Sequence, residues 1–78
     1  MKFRDLKKIL SRFEIEWDAR RGKGSHGAFV GLSHVSRLRR VYVLPAGQQQ
    51  EVSRAYLNPL RRTFELTNED GIKDEFFL

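Results

Sequence analysis

His26 closes a short basic stretch, Arg20-Arg21-Gly22-Lys23-Gly24-Ser25-His26. Imidazole is the side chain whose ordinary pKa lets it both take and give a proton near neutral pH. Arg20, Arg21 and Lys23 could hold a phosphate beside it, and the backbone N–H groups around Gly24 and Ser25 could form a small anion nest. Two glycines separated by a lysine favour a tight turn, because glycine accepts positive φ at little steric cost. From these residues alone, His26 reads either as a proton-transfer group or as a solvated turn histidine at the start of a strand. His34 stands eight positions further on, in the polar connector Ser33-His34-Val35-Ser36-Arg37, and carries no comparable motif. A strand between the two would hold them at opposite ends, so no two-histidine acid-base pair is expected.

Other chemistries are excluded by composition or spacing. The chain has no cysteine, which removes thiol nucleophiles, disulfides and thiolate metal sites. The spacings of a zinc site built from histidine and carboxylate are absent. Gly22-Lys23-Gly24-Ser25 has the letters of a phosphate loop without its spacing or its following helix. No cofactor or metal is expected.

The chain has 78 residues with a net charge of +5, and the sign changes along it. Residues 66–78 carry Glu69, Asp70, Asp74 and Glu75 against Lys73, a net −3, which leaves +8 on residues 1–65. A small domain with that excess attracts polyanions, of which nucleic acid is the commonest in a cytoplasm. Arg37, Arg39 and Arg40, a cluster entering the third strand, and Arg61 and Arg62 on the last helix, are further groups that could track an RNA backbone or simply face solvent. No apolar run approaches the roughly 18 residues that cross a bilayer, and the charged start Met1-Lys2-Phe3-Arg4-Asp5 is unlike a signal peptide. A soluble, cytoplasmic protein with no membrane contact is expected.

These groups need elements to position them. Phe3, Leu6, Ile9, Leu10 and Phe13 recur at helical spacing. Ile15, Trp17 and Ala19 alternate with charged residues, which predicts a half-buried strand with Trp17 in the core. After the glycine turn, Ala28, Val30 and Leu32 alternate with Gly27, Phe29 and Gly31; this places Phe29 on the opposite side of the sheet, as a candidate for base stacking or partner contact. Arg39 through Leu44 reads as a third strand closed by Pro45. Val52, Tyr56, Leu57, Leu60 and Phe64 keep helical spacing, but Pro59 demands a kink or a restart, and Asn58-Pro59 suits a helix beginning there and running to Leu66. The expected fold is α+β in the order α-β-β-β-α, with a three-stranded antiparallel sheet and both helices on one face. It forms a single domain over residues 1–66 with a short acidic extension over 67–78, whose Phe76-Phe77-Leu78 must dock or stay sticky.

With Gly24-Ser25-His26 between the first two strands, the chain resembles the HicA toxins of type II HicA/HicB toxin-antitoxin systems. The likeness runs over most of the sequence. It rests on the first helix, Trp17 in its charged strand, the Gly-Ser-His turn, the aromatic Phe29, the strand ending Val43-Leu44-Pro45, and a closing helix rich in Leu and Arg. The resemblance implies a fold like a double-stranded-RNA-binding domain, and an mRNA interferase that cuts messenger RNA until a HicB-type antitoxin covers its site. It implies His26 as the catalytic residue. Metal-independent RNA cleavage uses the neighbouring 2′-hydroxyl as nucleophile, so a protein must remove its proton, protonate the leaving 5′-oxygen and stabilise the phosphate. Arg20, Arg21, Lys23, Gly24, Ser25, Arg39 and Arg40 are then the candidate RNA and phosphate contacts. Two departures stand out. Many relatives carry a second histidine where this chain has Gly27, and many carry one soon after the strand-three proline, where this chain has Ala46 and Gly47. The competing readings are a non-catalytic RNA-binding module of the same fold, and a protein-interaction subunit that works through its tail.

Overall fold

A computed structural model describes residues 1–21 and 24–78. The elements run α1 (Phe3–Ser11), β1 (Glu16–Asp18), β2 (Gly27–Leu32), β3 (Arg39–Leu44), a 3-10 turn over Ala46–Gln48 and α2 (Arg54–Thr63), with two further 3-10 turns at Asn68–Asp70 and Asp74–Phe77. The strands form one antiparallel sheet in the order β1-β2-β3, so the fold is α+β with the α-β-β-β-α order. Among the described residues no helix is long and apolar enough to cross a membrane.

The register decides which sheet face is covered. Trp17 pairs with Phe29, and Phe29 with Tyr42, so these three side chains share one face. Phe3 of α1 lies against Trp17 and Phe29, with ring centroids at 4.8 and 5.9 Å, and the Tyr42 hydroxyl donates to the Tyr56 carbonyl of α2 at 2.9 Å. Both helices therefore cover this face. Phe3, Leu6 and Leu10 of α1, Leu57 and Leu60 of α2, and Ile15, Phe29, Leu44, Val52, Phe64 and Leu66 close the core.

Phe29 is fully buried, which corrects the expectation that it faces outward to stack on bases. Val30 and Leu32, of the alternating set Ala28, Val30 and Leu32, lie half-buried on the opposite face beside Val41 and Val43, which remain 43% and 46% exposed, while Ala28 is itself buried. The physical reason is the pair of glycines flanking Phe29. A Cβ on Gly27 would lie 2.2 Å from Trp17 Cζ2, and one on Gly31 would lie 2.8 Å from both the Glu14 carbonyl oxygen and Ile15 Cγ1. The bare backbone at 27 and 31 is thus filled by residues from β1 and the turn before it. Ala19, expected on the inward face, is exposed, because β1 ends at Asp18.

Pro59 also departs from expectation. α2 is continuous from Arg54 to Thr63 with Pro59 inside it, rather than beginning at Pro59. Proline in a helix interior costs about 3 kcal/mol or more, and burial of Leu57 and Leu60 on the same helix opposes that cost at about 1.5–3 kcal/mol per large side chain. The donor that Pro59 lacks would serve the carbonyl of Ala55, an exposed residue, so water can take its place.

Both helices end in the same way. Glu14 (φ 62°) and Glu65 (φ 57°) adopt left-handed backbone, and each is bracketed by paired closing bonds. Glu14 N–H donates to Ser11 at 3.1 Å and Ile15 N–H to Leu10 at 3.0 Å; Glu65 N–H donates to Arg62 at 3.2 Å and Leu66 N–H to Arg61 at 2.7 Å. This is the Schellman stop, with glutamate in the seat usually taken by glycine. At position 65 the side chain has a use. Its carboxylate accepts the backbone N–H groups of Val35 (3.1 Å) and Ser36 (2.6 Å) and the Ser36 hydroxyl, tying the β2–β3 connection to the end of α2.

Those bonds, led by the Ser36 hydroxyl and then the Ser36 N–H, lower the Glu65 pKa from 4.5 to about 2. A carboxyl whose folded pKa is depressed contributes stability that is present above its unfolded value and is lost as pH falls through the folded one. The window is therefore pH 4.5 down to about 2. In an NMR titration the Ser36 amide shift is expected to move with a midpoint near 2 in the parent and to stay flat in Glu65→Gln. A midpoint at the ordinary carboxylate value overturns the assignment.

The chain beyond Leu66 folds back on α2. Arg61 is buried, and its guanidinium donates to the Leu66 carbonyl (2.8 Å), the Ile72 carbonyl (3.4 Å) and Asp74 Oδ1 (2.7 Å), while lying 4.5 Å from the Phe77 ring centroid. Asp74 is held below the usual carboxylate range by that Arg61 bond first and by Asn68 second. Ile72 and Phe77 join the core cluster, whereas Phe76 and Leu78 stay exposed. Arg61 is thus a structural side chain, which corrects its reading as an RNA contact; Arg62 beside it is exposed.

Candidate functional site

The turn that carries His26 is built from three anchors. Asp18, the last residue of β1, accepts the Arg20 N–H on Oδ1 at 2.9 Å, and its Oδ2 lies 3.6 Å from Arg21 Nε. This aspartate turn reverses the chain while leaving both arginines exposed. Gly22 and Lys23 lie outside the described residues, and with them the expected phosphate anchor Lys23. Gly24 adopts φ +62°, the left-handed conformation for which its lack of a side chain suits it. The third anchor is Gln49, whose Nε2 donates to the Ser25 carbonyl at 2.9 Å and to the Leu44 carbonyl at 3.3 Å. It clamps the turn to the end of β3.

His26 follows directly and precedes Gly27, the first residue of β2. Its side chain is half-buried, and Nδ1 is buried without a hydrogen-bond partner among the described residues. An unmet buried nitrogen costs free energy comparable to a lost hydrogen bond, about 1–3 kcal/mol, and in native proteins such atoms are uncommon. Nδ1 is turned into the protein. Arg20, Arg21, Gly24 and Ser25 share this end of the sheet with His26.

Arg39 and Arg40 do not. They pair with Leu32 and Gly31, whereas His26 adjoins Gly27, which pairs with Leu44. Five residue steps at about 3.3 Å each separate the two ends of β2 by roughly 17 Å. His34 lies beyond the far end too, edge-on to Phe13 with centroids 5.2 Å apart, so the histidines are held apart as expected. A broad cleft of about 660 Å³ along β1 takes in Arg20, Arg21 and Arg39. The same cleft contains Glu14, Glu16 and Asp18, which offset the positive charge along β1, so Arg39 adds little to the field at the His26 end, where Arg20 and Arg21 lie.

Glycine at position 27 has a steric reason. Gly27 sits on the covered face under the Trp17 indole, which itself packs edge-on against Phe3 and Phe29. Gly27→Ala is expected to lower stability by about 1–3 kcal/mol through overpacking, as read in urea denaturation, and no larger side chain fits without moving Trp17. A Gly27→Ala midpoint equal to the parent's overturns this packing argument. Ala46 and Gly47 are exposed in the turn next to Gln49.

Sequence reasoning missed Gln49 and Asp18. Asp18 had a signal, an aspartate two residues before a turn. Gln49 had none, since its role depends on β3 delivering it beside Ser25. Among the described residues no group of three or more histidine, cysteine or acidic side chains could hold a metal ion. Comparison of the chain with models of known protein families, with curated proteins and with solved structures finds no match.

Proposed function

We propose that the protein is a metal-independent endoribonuclease toxin of the HicA kind, acting on messenger RNA in the cytoplasm and held in check by an acidic HicB-type antitoxin. The observation that carries the reading is His26: a half-buried imidazole with Nδ1 turned inward, at the end of a strand, on a turn fixed by Gln49. The α-β-β-β-α order with both helices on one face supports the likeness to a double-stranded-RNA-binding domain from which that reading began.

In the proposed reaction the 2′-oxygen attacks the adjacent phosphorus, and the bond from phosphorus to the 5′-oxygen breaks. The products are a 2′,3′-cyclic phosphate and a 5′-hydroxyl. His26 Nε2 serves one of the two proton transfers, taking the 2′ proton or supplying the 5′-oxygen. Arg20, Arg21 and the backbone N–H groups near Gly24 and Ser25 stabilise charge on the phosphate. An acidic partner laid over this end would match its charge and exclude RNA.

The test is incubation of the purified protein with end-labelled single-stranded RNA in excess chelator. Cleavage leaving cyclic phosphate ends supports the proposal. RNA that is bound but never cut identifies a binding module and overturns the catalytic role of His26.

A further inference from the structure

We infer that the outer face of α1 is a second RNA-binding surface, which takes the phosphates of a single strand running on from the His26 turn; this rests on the RNA reading above. Arg4, Lys8 and Arg12 recur every four residues and are all exposed, so they form one stripe about 12 Å long at 1.5 Å rise per residue. The stripe points away from the side buried by Phe3, Leu6 and Leu10. Lys7 flanks it, with its ammonium 4.9 Å from the Phe3 ring centroid. Among the described residues none of Arg4, Lys7, Lys8 or Arg12 is in an ion pair.

This arrangement works against the helix. Like charges four residues apart repel, and here they do so twice in succession. Lys2 and Arg4 place positive charge at the helix end where the dipole favours negative charge, with Asp5 as the acid of the first turn. Asp5 and the last-turn Lys8 suit the dipole, but the like charges of Arg4, Lys8 and Arg12 have no ion-pair partner among the described residues, and a bound polyanion would relieve their repulsion.

The stripe is also physically continuous with the turn. The Phe3 N–H donates to the Gln50 carbonyl at 2.9 Å, and Gln49 holds the Ser25 carbonyl. A groove of about 340 Å³ between them is lined by Lys2, Phe3, Arg4, Gln49 and Gln50. Glu51, which follows Gln50, is engaged by the Met1 ammonium at 2.7 Å, and Asp5 is the acid beside Arg4 on α1. A strand leaving the His26 turn thus crosses Gln49 and meets Arg4, Lys8 and Arg12 in order.

The probe is a labelled twelve-nucleotide 2′-O-methyl RNA, which cannot be cleaved through its 2′-oxygen, followed by fluorescence anisotropy across a salt series. The double variant Arg4→Gln, Lys8→Gln is compared with Arg54→Gln, Lys73→Gln, which removes the same charge on the side of the molecule near Asp74. Circular dichroism checks that both fold. The stripe variant is expected to bind about 10-fold or more weakly near 0.1 M salt, with a log–log salt slope shallower by about 1.4, whereas the control stays near the parent. Equal weakening of both variants, unchanged binding by the stripe variant, or binding of the parent to anionic vesicles but not to RNA each overturns the inference. A His26-dependent cleavage of a dinucleotide in the parent, alongside a stripe variant that binds like the parent, would refute the stripe and leave the proposed ribonuclease standing.

Discussion

His26→Ala is expected to lower RNA cleavage by about 10²- to 10⁴-fold, the usual contribution of one positioned proton-transfer group, while RNA affinity changes less than about 2-fold. The separation follows from the geometry. The affinity of the proposed site comes from Arg20, Arg21, the turn backbone and the cations of α1, none of which depends on the imidazole. Because Nδ1 makes no hydrogen bond among the described residues, its removal breaks none there, and the cost relieved by losing that unmet nitrogen offsets the packing lost with the half-buried ring, so the variant is expected to fold and melt near the parent. His26→Gln, which keeps a polar group of similar reach, is expected to stay as inactive as His26→Ala, since an amide does not transfer protons near neutral pH. Product analysis of end-labelled RNA in chelator reads both variants. Undiminished cleavage by His26→Ala removes this residue from the chemistry, and a parallel loss of affinity makes it a binding contact instead.

The second large effect concerns stability. Phe29→Ala is expected to destabilise the protein by about 3–5 kcal/mol, the range for emptying a well-packed phenylalanine site. Domains of this kind carry about 5–15 kcal/mol in total, so the variant is expected to be partly unfolded at modest temperature. Phe29 is fully buried and sits between Trp17 (centroids 4.9 Å) and Phe3 (5.9 Å). The flanking residues Gly27 and Gly31 bear no side chains that could move into the space. Urea denaturation measures the loss. A variant that is stable yet defective in RNA binding would restore Phe29 as an outward stacking platform and would contradict the packing described above.

These two residues also mark how far the sequence could be read. His26 was legible because its neighbours are local: the basic run, the glycines and the histidine are consecutive, and turn chemistry acts over four or five residues. Gln49 was not, because a glutamine in a polar connector has no pattern, and its bond to the Ser25 carbonyl spans 24 residues. Arg39 and Arg40 were grouped with His26 on charge alone. The antiparallel register then separates them, since the β3 end that meets His26 is its last residue, Leu44, rather than its first. Arg61 looked like its neighbour Arg62, and only the returning tail, with Asp74 and Phe77, shows that one is enclosed and the other free.

The sequence by itself determined the order of helices and strands, the α+β class and the position of the Gly-Ser-His turn, because helical and strand periodicities and turn residues are properties of short windows. Tertiary structure alone decided which face of β2 is the core. Alternation shows that two faces differ; it does not show which one is covered. Ala28, Val30 and Leu32 outnumber Phe29, yet Phe29 joins the core cluster while Val30 and Leu32 stay half-buried on the other face, because Trp17 and Ile15 come from another strand and its approach to fill the space above Gly27 and Gly31. The same holds for Pro59, whose local preference to start a helix is overridden by the burial of Leu57 and Leu60 on either side of it. In both places the outcome depends on partners distant in the chain, and packing energies of several kcal/mol outweigh the local preference.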